Sequence, residues 1–140
     1  MKRRSPLVAV AAIVLFGAAL TAARSARHQT GSRFPTGTFV TKITAQDLVR
    51  AGLPAEDAHR ESITYRSNGT WRAVWSHPRV AAQPPEEGRY AATGDRLRVF
   101  GTPDLLRWRY AKGFLTFSIL HVPDKLARLT YTAHPWRKTR

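Results

Sequence analysis

Five histidines, His28, His59, His77, His121 and His134, are the residues of this chain best suited to proton transfer or metal ligation. They are scattered, mostly in expected loops. None stands in an H-E-x-x-H or H-x-x-E-H arrangement, and no acidic cluster accompanies them at ligand spacing. Ser62, Ser67, Ser76 and Ser118 lack the G-x-S-x-G context that exposes a nucleophilic hydroxyl. Glu86 and Glu87 are adjacent beside Gly88, where a solvated turn accounts for them better than an acid–base pair does. Asn68-Gly69-Thr70 matches a glycosylation acceptor but reads more simply as a hairpin turn. The chain has no cysteine, which excludes disulfide staples, a lipid-modified N-terminal Cys, thiol catalysis and thiolate metal sites. Gly-rich phosphate loops are absent as well. No catalytic constellation assembles from these residues, so the chain reads as a non-enzyme without a cofactor.

Binding chemistry is better represented. Phe39, Tyr65, Trp71, Trp75, Tyr90, Trp108, Tyr110, Phe117 and Tyr131 fall on alternate positions and should share one face. Such a face suits an apolar or aromatic small ligand, with phenol and indole groups as polar handles. The same rings could instead simply fill a core. No charged residue is expected inward on these strands, which argues against a charged ligand held deep inside. The opposite face carries Arg66, Arg72, Arg89, Arg96, Arg98, Arg107, Arg109 and Arg128, with Arg137, Lys138 and Arg140 at the tail. The formal charge is +14. Two readings stay open: an arginine excess inherited from GC-rich coding and merely solvated, or a surface for an anionic polymer or membrane headgroups. Arg96 and Arg98 should lie near Arg107 and Arg109, and like charges facing one another repel unless something neutralises them. Specific nucleic-acid binding is disfavoured, because inward aromatics cannot stack on bases and no recognition motif is present.

The elements that must position these faces follow from the alternation. Thr38–Ile43 alternates as a first strand. Thr44 caps a short helix over Ala45–Ala51, with Asp47 at the capping-box position and Gly52 as its stop. Pro54 opens a second short helix, with Glu56 and Asp57 complementing its dipole. Alternating runs then centre on Ile63 and Tyr65; on Trp71, Ala73 and Trp75; on Tyr90 and Ala92; and on Leu97 and Val99. Further runs centre on Leu106, Trp108 and Tyr110; on Leu115, Phe117 and Ile119; and on Leu129, Tyr131 and Ala133. Turn signals fall between them at Asn68-Gly69, Gly94-Asp95, Gly101–Asp104, Lys112-Gly113 and Pro123-Asp124. Eight strands with one helical connection predict a mainly-β fold, an antiparallel up-and-down barrel with one or two short helices after the first strand. Closure would remove exposed strand edges and leave an interior sized for side chains or one small ligand.

With 140 residues and 43% apolar content, the chain has material for one domain. Lys2, Arg3 and Arg4 precede an apolar run from Leu7 to Leu20, followed by Thr21, Ala22 and Ala23, the layout of a secretory signal. The run is shorter than the roughly 20 residues of a full membrane span. Cleavage after Ala23 would release the protein to the outside, whereas an uncleaved segment would anchor it at the cell surface. The expected organisation is therefore a signal or anchor over 1–23 and a flexible basic tether over 24–36. A barrel over 37–136 and a basic tail over 137–140 complete it. Oligomeric state is not readable.

The stretches GTFVTKITAQDLVRAGL, NGTWRAVW, GRYAATGDRLRVF and WRYAKGFLTFSIL, with the closing Pro135-Trp136, resemble small secreted lipocalin-like (calycin) proteins of high-GC bacteria. The likeness spans nearly all of residues 36–137, with Phe39 standing where lipocalins usually open on G-x-W. The resemblance implies a calycin barrel and carriage of a small ligand.

Overall fold

Alternation of apolar and polar residues sends every second side chain to the same side of a strand, and eight such strands here wrap into one wall. The computed structural model describes residues 33–78 and 82–139. The expected signal or anchor over 1–23, the tether as far as residue 32, and Arg140 lie outside the described residues. The strands are β1 (Gly37–Ile43), β2 (His59–Tyr65), β3 (Thr70–Ser76), β4 (Glu86–Thr93), β5 (Arg96–Val99), β6 (Leu105–Ala111), β7 (Phe114–His121) and β8 (Trp136–Lys138). Each pairs antiparallel with the next, and β8 returns to β1, which closes the barrel. The fold is the mainly-β, eight-stranded up-and-down barrel that the alternation predicts.

Two short helical pieces follow β1. Helix α1 (Ala45–Arg50) starts at Thr44, whose hydroxyl accepts from the Asp47 backbone N–H while the Asp47 carboxylate accepts from the Thr44 backbone N–H, a complete capping box. A single 3-10 turn (Ala55–Asp57) comes next, with Pro54 as its cap. The Asn68-Gly69 turn forms between β2 and β3, but only Gly69 takes a positive φ, 79°. Its N–H bonds the Arg66 carbonyl, so the loop is the three-residue kind that ends on a left-handed glycine.

Residues 128–133 depart from expectation. Instead of an eighth strand, residues 128–132 belong to helix α2 (Lys125–Thr132) and Ala133 is its C-cap. Asp124 caps it through its carboxylate on the Ala127 N–H at 2.7 Å, and Lys-Leu-Ala-Arg-Leu is a run of strong helix formers. Helical spacing turns Leu126, Leu129 and Thr130 toward one side as readily as strand spacing aligns Leu129, Tyr131 and Ala133. The closing strand is instead Trp136–Lys138, so Arg137 and Lys138 of the expected tail are paired with Val40 and Phe39 in the wall. The expected tether also ends differently: Phe34 and Pro35 are buried. Glu86 and Glu87, expected in a loop, begin β4.

Strand direction sorts the connections into two ends. The tight turns at 66–69, 94–95 and 112–113 share one end. The β1–β2, β3–β4, β5–β6 and β7–β8 connections, carrying α1, the 3-10 turn and α2, share the other. The core lies inside the barrel between them: Phe39, Ile63, Tyr65, Ala73, Leu97, Leu106, Trp108, Leu115, Phe117, Val122 and Trp136 are all buried.

Candidate functional site

The hairpin end is stoppered by an aromatic side chain. Phe34, just before β1, inserts against Tyr65, Tyr90 and Trp108, with ring centroids at 4.9, 5.3 and 5.2 Å. Its edge-on contacts to Tyr65 and Trp108 are each worth about 0.5–1.5 kcal/mol beyond the area they bury. No periodic pattern surrounds Phe34 in the sequence, so nothing there singles it out.

Of the aromatic residues expected inside, Phe39, Tyr65, Trp108 and Phe117 are buried, and Trp71, Tyr90 and Tyr131 pack against them partly buried. Trp71 lies flat over Gly88, where an added Cβ would come within 2.8 Å of its indole nitrogen. Tyr131 reaches the interior from α2, its ring 5.5 Å from that of Phe117. Trp75 and Tyr110 differ: each is 37% exposed. They have inward parity, opposite Glu61 and Leu115, but stand near strand ends, Trp75 at the helical rim and Tyr110 at the hairpin rim.

The interior is less apolar than its sequence suggests. Strand β2 begins at His59, two alternations before Ile63, so His59 and Glu61 point inward and are buried. This corrects the expectation that no charged residue faces the interior. Thr41 stands directly opposite Glu61 and is buried too. From the far wall come Asp104, buried just before β6, and Tyr131, whose hydroxyl donates to the Asp104 carboxylate at 3.3 Å. Glu86, paired with inward-facing Ala73 at the start of β4, stands exposed at the rim of this group. All of these lie at the helical end.

Electrostatics couples the group. Burial pushes the Tyr131 hydroxyl well up, reinforced by the Asp104, Glu61 and Glu86 charges. Burial also raises the Asp104 carboxyl, and burial together with Glu61 raises Glu86. Burial works to depress His59, but the Glu61 carboxylate and the Asp57 carbonyl outweigh it, and the net shift is upward. His59 Nδ1 donates to the Asp57 carbonyl at 2.8 Å. Nε2 therefore faces inward, 3.8 Å from Glu61, an ion-pair distance too long for a hydrogen bond. Trp75 stacks on the imidazole at 5.0 Å, nearly parallel.

Among the described residues, five buried side-chain atoms have no hydrogen-bond partner: Thr41 Oγ1, His59 Nε2 and the indole nitrogens of Trp71, Trp108 and Trp136. The described residues contain no group of three or more His, Asp or Glu that could hold a metal ion.

The arginines form the outer wall. Arg66, Arg72, Arg89, Arg96, Arg98, Arg107, Arg109 and Arg128 are all exposed. Arg96 faces Arg107 across β5 and β6, whereas Arg98 faces Leu105 and Arg109 faces Thr116, so one of the expected like-charge pairs forms. Arg107 is relieved by Asp95 at 2.8 Å, and Arg72 by Glu87 at 3.6 Å. A groove of about 450 Å³ runs along this wall, lined by Asp95, Arg107, Arg109, Thr116 and Ser118 with Trp108.

No family model matches the chain, and neither a curated protein nor a solved structure shows significant similarity to it.

Proposed function

We propose that the protein is an extracytoplasmic binding protein that takes up a small, largely apolar molecule inside the barrel. Closed eight-stranded barrels are compatible with this role in general, since their interiors accommodate side chains or one small ligand. The observation that carries the proposal is the set of orphaned polar atoms. A buried donor or acceptor without a partner costs about 1–3 kcal/mol, and native interiors leave few of them. Among the described residues three indole N–H donors and one hydroxyl are left so in this core. A ligand with an aromatic or aliphatic body and one or two acceptor groups would satisfy donors that the protein itself does not.

Native mass spectrometry of the purified mature protein tests this. One small molecule per chain should co-purify, or a neutral probe such as 4-phenyl-1-butanol should saturate one site and change the tryptophan fluorescence. A ligand-free protein that binds no such probe would sink the proposal.

A second reading rests on the outer wall. Among the described residues Arg96, Arg98, Arg109 and Arg128 lie in no ion pair, a charge that a docked anionic surface would offset, and the N-terminal signal pattern would place that wall against the cell envelope. The two readings use different faces and are compatible.

A further inference from the structure

We infer that the helical end of the barrel is a subsite for a protonated organic amine, held by Glu61 and Asp104 with the rim indole of Trp75 flanking it. This deepens the barrel-binding reading, on which it rests, by naming the polar end of the ligand.

The first argument is charge placement. The chain carries 23 Lys and Arg against nine Asp and Glu, so a carboxylate has ample cations to choose from. Yet among the described residues the ion pairs are His59–Glu61, Arg72–Glu87, Arg107–Asp95 and His134–Asp47. No Lys or Arg among those residues meets Glu61, Glu86 or Asp104. Carboxylates buried without a full counter-charge are expensive to keep, and Glu61 and Asp104 are only 8% and 6% exposed. His59 offsets at most one of these charges. An incoming cation would offset another.

The second argument is an orphaned hydroxyl. Thr41 Oγ1 has no hydrogen-bond partner, in a residue 5% exposed that stands directly opposite Glu61. His59 Nε2 makes no hydrogen bond either, its Glu61 contact being an ion pair at 3.8 Å. The Thr41 hydroxyl oxygen accepts from an N–H donor. An ammonium brings two or three N–H donors to this corner.

The third is the aromatic rim. Trp75 stands opposite Glu61 in register, is 37% exposed and has one face stacked on His59, and the Tyr131 hydroxyl donates to Asp104. Aromatic faces attract ammonium groups through their quadrupoles, tryptophan most strongly. The hydrocarbon body would pack against Ile63, Leu106 and Phe117 of the core.

The test uses three probes of matched shape, 4-phenylbutylammonium, 4-phenyl-1-butanol and 4-phenylbutyrate, titrated into the whole mature protein at neutral pH. The ammonium should bind at least about tenfold more tightly than the alcohol, the effect of one charge-assisted hydrogen bond, and the carboxylate should bind worst. Glu61→Gln should abolish that preference. Trp75→Leu, at a partly exposed position, should weaken the ammonium several-fold more than the alcohol. Equal binding of ammonium and alcohol, or a Glu61→Gln protein that keeps its preference, overturns the subsite and leaves the barrel reading standing. Failure of all three probes overturns both.

Discussion

His59 concentrates the physical tensions of the interior in one side chain. It is buried, stacked under Trp75, fixed at Nδ1 and faces a carboxylate at Nε2. Its pKa is raised above 6.5 in the folded protein, so the native state holds this proton more tightly than the unfolded chain does. Stability drawn from the protonated ring is complete below pH 6.5 and is lost as pH rises through the raised value, because the native state then releases a proton that the unfolded state gave up earlier. Asp104 and Glu86 are also raised, but from carboxylate values, so their own loss of stability with rising pH begins in acid. Urea midpoints measured from pH 6 to 9 should fall across this range and flatten in His59→Gln. An equal fall in the variant would place the titration elsewhere. The inward course of His59 and Glu61 was present in the sequence as alternation with Ile63 and Tyr65. Charged residues at alternate positions ordinarily mark a solvent face, however, and only the helices over this end of the barrel reverse that meaning.

Among the elements, β8 has three residues and yet decides whether the sheet is closed. Trp136 is 1% exposed and lies opposite Leu115, with its ring 6.4 Å from Phe117. Backbone bonds from Lys138 N–H to the Gly113 carbonyl and from Thr139 N–H to the Thr38 carbonyl tie the strand to both neighbours. Truncating a buried Trp to Ala typically costs about 3–5 kcal/mol, a large part of the 5–15 kcal/mol that small domains possess. Trp136→Ala should therefore lose about that much in denaturant titrations. It should also expose β1 and β7 as free edges, seen as concentration-dependent association by light scattering. Lys138→Ala, exposed on the same strand, should change stability by less than about 0.5 kcal/mol. If Trp136→Ala is as mild as Lys138→Ala, closure does not depend on this ring. β1 to β7 were legible because each alternates for several residues between clear turns. β8 was not, since three residues are too few to show a period, and the preceding Leu129-Thr130-Tyr131 offers a false one. The Asp124 cap and the Lys-Leu-Ala-Arg-Leu run were the signals that could have separated helix from strand.

For the whole molecule, the same alternation that fills the barrel drives its positive charge outward. Core strands cannot accommodate a guanidinium without a partner, so each polar position of β2 to β6 that carries Arg presents it to solvent. The acids are not spread to match: Glu61 and Asp104 are buried at the helical end, leaving the outer wall with few carboxylates. Among the described residues Arg72 and Arg107 have acidic partners, while Arg96, Arg98, Arg109 and Arg128 lie in no ion pair. Such a field extends into solvent by about a Debye length, ~10 Å at 0.1 M salt, and concentrates polyanions near the wall. If the wall docks on the cell envelope, the protein should sediment with phosphatidylglycerol vesicles at 50 mM salt and be released by several hundred millimolar. It should ignore phosphatidylcholine vesicles throughout. Replacing Arg96, Arg98 and Arg109 together by Ser leaves the interior untouched, and should shift release to lower salt without altering the binding of a neutral probe inside the barrel. Retained vesicle binding in that variant, or binding insensitive to salt, would remove the basic wall from the account and leave its charge as a solvated surface. Because the wall and the lumen are lined by opposite faces of the same strands, their effects are separable by substitution, one face at a time.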